Sequence, residues 1–177
     1  MAVKHLLLTG YRGCGKSAVG KLLSESLSWR FIDTDIEIEA ATGQTIAEIF
    51  EQRGQDGFRD LEASQIASLV YLREPTIVSL GGGAVLRAEN RICIRNLGKS
   101  VWLQACPETI FERISSDSST QERRPKLSKL GDREEIRTVL DMRVPWYKEV
   151  ADFAVSTDGI SIERVAEIIV DWFRRIT

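Results

Sequence analysis

The residues from Gly10 to Ser17, Gly-Tyr-Arg-Gly-Cys-Gly-Lys-Ser, fit the spacing Gly-x-x-x-x-Gly-Lys-Ser through Gly10, Gly15, Lys16 and Ser17. Glycine at such points lets the backbone curl until successive N–H groups converge on one anion. A helix starting there turns its positive end toward the same anion. In loops of this kind the lysine reaches β- and γ-phosphate oxygens and the serine hydroxyl ligates Mg²⁺. The chemistry indicated is binding of a nucleotide's phosphates. Cys14 contributes its N–H to the cradle, and its thiol is given no chemistry. The apolar run Leu6-Leu7-Leu8 before the loop, and Val19, Leu22, Leu23 and Leu27 at helical spacing after it, supply the strand and helix that such a loop joins.

Further along, Phe31-Ile32-Asp33-Thr34-Asp35 ends an apolar run with two carboxylates. Spaced by two on an extended segment, both point the same way. One would serve the Mg²⁺ water shell and the other a substrate hydroxyl, or Asp33 or Thr34 simply caps the next helix. In Gly57-Phe58-Arg59-Asp60-Leu61-Glu62, Arg59 falls near a helix start, where a cation is disfavoured. That placement suits an anion ligand, with Glu62 on the same face holding the guanidinium; a surface ion pair is the alternative. Gly81-Gly82-Gly83 follows a strand, and three glycines in a row are entropically costly unless backbone must approach a ligand. Arg123 and Arg124 lie in a polar stretch at 115–129 that suits a mobile loop, as a phosphate clamp or as a solvated charge run. Arg143 falls late in a predicted helix, where an arginine offsets the macrodipole; of Pro145, Trp146 and Tyr147 after it, the two aromatics are assigned to the core.

These residues need a frame. Strands are predicted near 4–9, 29–33, 76–80, 100–105 and 152–156. Helices are predicted near 15–28, 35–42, 45–53, 57–73, 88–97, 107–115, 132–148 and 161–175. The alternation implies an α/β fold with a parallel sheet covered on both faces. Ligands of such sheets sit at the carboxyl ends of the strands, where the loop at 10–17, the Asp33/Asp35 pair and the glycines at 81–83 all fall. The 177 residues fit one domain. A net charge of −2, from 24 basic and 26 acidic residues, argues against a nucleic-acid or anionic-membrane partner. Three scattered cysteines without a CxxC pair, and no apolar run of the roughly 20 residues that span a bilayer, point to the cytoplasm. His5, the one histidine, is read as a strand-end side chain. An Asn-Lys-x-Asp base-reading motif and an Asp-x-x-Gly switch are both absent, which favours a small-molecule kinase over a GTP-dependent switch.

Taken together, LTGYRGCGKSAVGKLL, FIDTD, GFRDLE, SLGGGAV, RRPKL and MRVPWY, in this order along nearly the whole chain, closely resemble the shikimate kinase family. The resemblance implies a three-layer α/β/α P-loop kinase fold with a five-stranded parallel sheet in the order 2-3-1-4-5. It implies transfer of the γ-phosphoryl of ATP to the 3-hydroxyl of shikimate, on the pathway to chorismate and the aromatic amino acids, with Mg²⁺ as cofactor. ATP is expected along Gly13, Cys14, Gly15, Lys16, Ser17 and Ala18, with Arg113 on the adenine and Arg124 on the phosphates. Shikimate is expected on Asp35, Arg59, Gly81, Gly82, Gly83 and Arg143. Lys16, Asp35 and Arg124 are the implied catalytic residues, with Asp35 taking the hydroxyl proton, and Ser17 and Asp33 organise the metal. The resemblance also implies a monomer, with a substrate-binding region at about 33–62 and a lid at about 115–130. One departure stands out: Arg124-Pro125-Lys126-Leu127 replaces the family's Arg-Pro-Leu-Leu, which predicts looser lid closure or weaker ATP binding and leaves Arg123 as a rival to Arg124. The alternatives are another small-molecule kinase of this fold, such as a gluconate kinase, and an ATP-binding regulatory module without turnover.

Overall fold

In an extended strand neighbouring side chains face opposite ways, so three consecutive leucines at 6–8 require apolar cover on both faces. The computed structural model, which describes residues 5–116 and 132–176, meets that requirement with a fully parallel sheet between helical layers. The strands are β1 (His5–Thr9), β2 (Arg30–Asp33), β3 (Thr76–Ser79), β4 (Lys99–Gln104) and β5 (Phe153–Ser156), in the order β2-β3-β1-β4-β5. The helices are α1 (Lys16–Leu27), α2 (Thr34–Thr42), α3 (Ile46–Ser68), α4 (Ala88–Leu97), α5 (Pro107–Ser116), α6 (Asp132–Val150) and α7 (Ile162–Ile176). Fold class and strand order are those expected.

Leu6 and Leu8 pack with Val19 and Leu23 of α1 and with Ile169 and Phe173 of α7. Leu7 faces the opposite layer, among Ile66 of α3, Ile94 of α4 and Tyr147 and Val150 of α6. All three leucines are fully buried. Because β1 lies between β3 and β4, the chain leaves β1 toward one side of the sheet and later crosses to the other. That reversal opens a crevice at the carboxyl ends of β1 and β3, where parallel sheets bind ligands.

Several elements differ from expectation in ways that matter for the site. The two helices predicted at 45–53 and 57–73 are present as the two segments of α3, which meet at a kink and are followed by a 3₁₀ turn at Leu69–Tyr71. The kink is at Gly54, whose φ of 67° and ψ of −175° suit glycine alone. The start of α3 is closed by a capping box between Thr45 and Glu48, as the Thr-x-x-Glu spacing predicts. Asp33 ends β2 and caps α2, so Asp35 already belongs to the first helical turn. The two carboxylates are therefore not side by side on a strand. Arg143 is seven residues from the end of α6 and buried, so the macrodipole reading of it fails. Of the expected lid, Ser115 and Ser116 finish α5; Arg123, Arg124 and Lys126 lie outside the described residues.

Candidate active site

The loop between β1 and α1 takes its shape from glycines at positive φ: Gly10 at 136°, Gly13 at 78° and Gly15 at 96°. Gly15 stands at the N-cap of α1 without a side-chain cap, which leaves the helix's first N–H groups for another acceptor. Lys16 Nζ donates to the carbonyls of Gly10 and Tyr11, each at 2.9 Å, and lies 3.8 Å from Cys14 Sγ. The lysine thus braces its own loop. Cys14 is fully buried beneath that loop, and a Cβ on Gly10 would meet its sulfur, so a small residue is required there.

Asp33 has two tasks. Its Oδ1 accepts the Asp35 N–H at 3.1 Å, which caps α2, and its Oδ2 accepts the Ser17 hydroxyl at 2.6 Å. Ser17 and Asp33 therefore form a hydroxyl–carboxylate pair at the exposed mouth of the loop. Oxygen ligands of this kind, one or two from protein beside substrate phosphates, are what Mg²⁺ takes. At the far side Arg113 joins the loop to the segment after β5, donating to Gly13 O at 3.3 Å, Thr157 Oγ1 at 2.9 Å and Thr157 O at 2.8 Å.

Across the crevice lies a pocket whose walls include Tyr11, Arg12, Asp35, Arg59, Glu62, Gly81, Gly82, Gly83 and Arg143, closed on one side by Phe50 and Phe58. Six of the expected substrate residues thus come together: Asp35, Arg59, Arg143 and the three glycines. Arg59 donates to Glu62 at 2.6 Å, and both side chains are buried, so the surface-pair alternative is excluded. Burial raises the Glu62 carboxyl above the ordinary carboxylate range, and the pull of Arg59, Arg143 and Arg87 does not cancel it. Arg143 donates to Gly82 O at 3.1 Å.

The glycine run is explained by the protein's own side chains. None of the three has positive φ. A Cβ on Gly81 would stand 2.7 Å from Asp35 Oδ1 and 2.8 Å from Glu62 Oε1, and one on Gly83 would collide with the Arg59 guanidinium. Gly82 lies against the phosphate loop, its Cβ position 3.2 Å from the Arg12 nitrogen. The glycines let both loops and three charged side chains, Asp35, Arg59 and Glu62, meet at one wall.

Sequence reasoning missed Tyr147 and Tyr11. Tyr147 is fully buried and donates to Gly82 O at 2.6 Å, beside Arg143. Burial pushes its phenol pKa far up, so it remains a donor. The available signal was its spacing, four residues after Arg143, which puts both on one helix face. Tyr11 is buried with two guanidiniums near its ring, Arg143 Cζ 5.6 Å and Arg12 Cζ 6.0 Å from the ring centre.

A loop shaped for phosphates and a cationic pocket sharing its wall bring a phosphoryl donor and an acceptor within reach of each other. The molecule is a P-loop phosphotransferase in fold and in the layout of its crevice.

Comparison with known proteins makes this particular. The family model for shikimate kinase matches residues 12–174. The shikimate kinase of Rhodopirellula baltica is 40% identical over 162 residues, 92% of this chain and 86% of that protein. The structure of shikimate kinase from Acinetobacter baumannii in complex with shikimate superposes with a TM-score of 0.91 at 31% identity, covering 99% of this chain and 96% of that one. A gluconokinase from Sinorhizobium meliloti, 17% identical over 97% of this chain and 92% of its own, has a TM-score of 0.58 and shares the fold alone. The chain belongs to the shikimate kinase family, enzymes that phosphorylate shikimate with ATP in aromatic amino acid biosynthesis.

Proposed function

We propose that this chain moves the γ-phosphoryl group of ATP to the 3-hydroxyl of shikimate by means of the two facing sites. The observation that carries this assignment is the convergence of Asp35, Arg59 and Arg143 in one pocket that shares a wall with the phosphate loop. Three buried polar atoms there, Arg12 Nε, Arg59 Nε and Glu62 Oε1, have no hydrogen-bond partner among the described residues. Buried polar groups are rarely left so, and a ligand carrying both an acid and hydroxyls supplies acceptors and donors together. With three guanidiniums against two carboxyls, the pocket favours an anion.

In this reading Arg59 and Arg143 bind the shikimate carboxylate as charge-assisted donors, and the backbone at Gly81–Gly83 approaches the ring. Asp35 orients the 3-hydroxyl and takes its proton as the new P–O bond forms. Lys16 exchanges the loop carbonyls for phosphate oxygens, beside the N–H groups of Gly13, Cys14, Gly15, Ser17 and Ala18. Arg113 flanks the adenine, and Arg124 closes over the phosphates. Phosphoryl transfer requires chiefly positioning and charge neutralisation, which this set supplies without a strong base. Ser17 and Asp33 would hold Mg²⁺, whose chemistry is neutralisation of charge on the β- and γ-phosphates.

The reading extends to a monomer organised as one domain, residues 1–177, with the acceptor region at about 33–62 and the lid at about 115–130. Among the described residues no helix is long and apolar enough to cross a membrane, in keeping with a cytoplasmic enzyme. The test is a coupled ADP-release assay with Mg-ATP and shikimate, quinate, gluconate or no acceptor. Turnover with shikimate alone is the expected result. Turnover with another acceptor alone overturns the roles given to Asp35, Arg59 and Arg143, and ATP binding without any turnover points to a regulatory module.

A further inference from the structure

Arg12 occupies an unspecified position of the Gly-x-x-x-x-Gly-Lys-Ser spacing, so the phosphate-loop motif gives it no task. Its surroundings do. The residue lies on the loop between the nucleotide cradle and the acceptor pocket, and it lines that pocket with Asp35, Arg59 and Arg143. Its backbone nitrogen is 3.2 Å from where a Cβ on Gly82 would be, so Arg12 marks the point where the two loops touch. The guanidinium stands 6.0 Å from the ring centre of Tyr11, a buried aromatic platform at the range of a cation–π contact.

The other pocket cations have protein partners. Arg59 has Glu62 at 2.6 Å, and Arg143 has the Gly82 carbonyl at 3.1 Å. Arg12 forms no ion pair or hydrogen bond among the described residues, and its Nε is buried without an acceptor. Arg143 lies over the same Tyr11 ring, so two like charges share one platform. An arrangement of this kind is stable when an anion lies between or beside the cations, and among the described residues neither pocket carboxylate, Asp35 or Glu62, makes an ion pair with Arg12.

We propose that Arg12 is a catalytic residue of the phosphoryl transfer, its guanidinium binding the oxygens of the phosphoryl group as it passes between the two sites. This inference rests on the shikimate kinase reading of the site. In the step, the bond between the γ-phosphorus and the β–γ bridging oxygen breaks, and that electron pair stays on ADP. A bond forms from the acceptor hydroxyl oxygen to the same phosphorus, and the hydroxyl proton passes to Asp35. The three non-bridging oxygens carry negative charge throughout, and Arg12 is placed on the acceptor side of them. It therefore binds the transferring group and the ester product, and makes no use of the shikimate carboxylate.

The test compares the wild-type enzyme with Arg12→Gln and Arg12→Lys, measuring kcat and KM with shikimate and the affinities of shikimate and shikimate 3-phosphate by calorimetry. For Arg12→Gln, kcat is expected to fall about 100-fold while the affinity for shikimate changes less than about threefold. Affinity for shikimate 3-phosphate is expected to fall about tenfold, and Arg12→Lys to recover part of both losses as a point charge without the planar fork. A kcat within about threefold of wild type overturns the proposal, as does a raised KM for shikimate at unchanged kcat, which assigns Arg12 to ground-state binding. Should Arg12→Gln fail to fold, the ratio of product to substrate affinity in Arg12→Lys decides, an unchanged ratio overturning the proposal. A wild-type enzyme that does not turn shikimate over removes the functional reading itself, whereas active wild type with an equally active Arg12→Gln removes Arg12 alone.

Discussion

Between Gly10 and Ser17 the chain satisfies itself with backbone: glycines at positive φ, an open helix start, and a lysine bonded to carbonyls of its own loop. On the other side of the crevice the pocket is made of side chains from α2, α3, α6 and two loops, and Arg12 Nε, Arg59 Nε and Glu62 Oε1 are buried there without partners among the described residues. The phosphate site is short in sequence and general in chemistry, because any polyphosphate offers the same oxygens to converging N–H groups. The acceptor site is long-range and particular, because charge and shape must match one small molecule. Both meet at Gly82, which lies against the phosphate loop and accepts hydrogen bonds from Arg143 and Tyr147.

That contrast can be broken most severely from the phosphate side. Lys16→Met is expected to cut turnover with shikimate by about 10³-fold, since it removes a fixed charge from the transferring phosphates. Circular dichroism should show an unchanged fold, and substantial remaining turnover would refute the role given to Lys16. On the acceptor side, Asp35→Asn is expected to lower kcat by about 10²–10³-fold, the range lost with a general base, while ATP binding stays intact. Near-normal turnover in that variant would take Asp35 out of proton transfer.

A smaller change sharpens the division between the halves. Gly83→Ala pushes against the Arg59 guanidinium, which supplies the three nearest atoms to the added methyl group. KM for shikimate is expected to rise about tenfold, or ~1.4 kcal/mol, with KM for ATP unchanged. An equal rise in both would mean that the two sites do not act separately.

The smallest expected effect is on stability. Burial holds the Glu62 carboxyl above its ordinary value of 4.5, so the folded protein keeps a proton there that the unfolded chain releases. Stability from this group is present in full below the ordinary value and is lost as pH rises through the raised one. The melting temperature of the wild type relative to Glu62→Gln should therefore increase as pH is lowered from neutral toward 4.5. A relative decrease would show that the pull of Arg59 outweighs burial.

Much of the fold was legible because its signals are local. The strand–helix alternation gave the class, and the Thr-x-x-Glu spacing at Thr45 and Glu48 gave a helix start. The misreadings share a cause. For Asp33 and Asp35 the pairing on strand geometry fails and the capping alternative holds, because Asp33 caps α2 and turns the chain between them. Arg143 was read against its own helix, whereas its partner is Gly82, 61 residues away. Tyr147 looked like core and is core, yet its hydroxyl holds the same carbonyl. The glycine run was read from the ligand side alone, and Asp35, Glu62 and Arg59 also need the space its missing side chains leave.

Spacing along the chain was thus sufficient for the phosphate loop, because curling backbone around an anion is a matter of a few consecutive dihedral angles. The order of six motifs was sufficient for the family. Which guanidinium pairs with a carboxylate, which with a carbonyl, and which is left for a ligand was decided only when β3, α3 and α6 packed around one crevice. Contacts of that kind depend on burial and on groups far apart in sequence, and neither is written in any single stretch of residues.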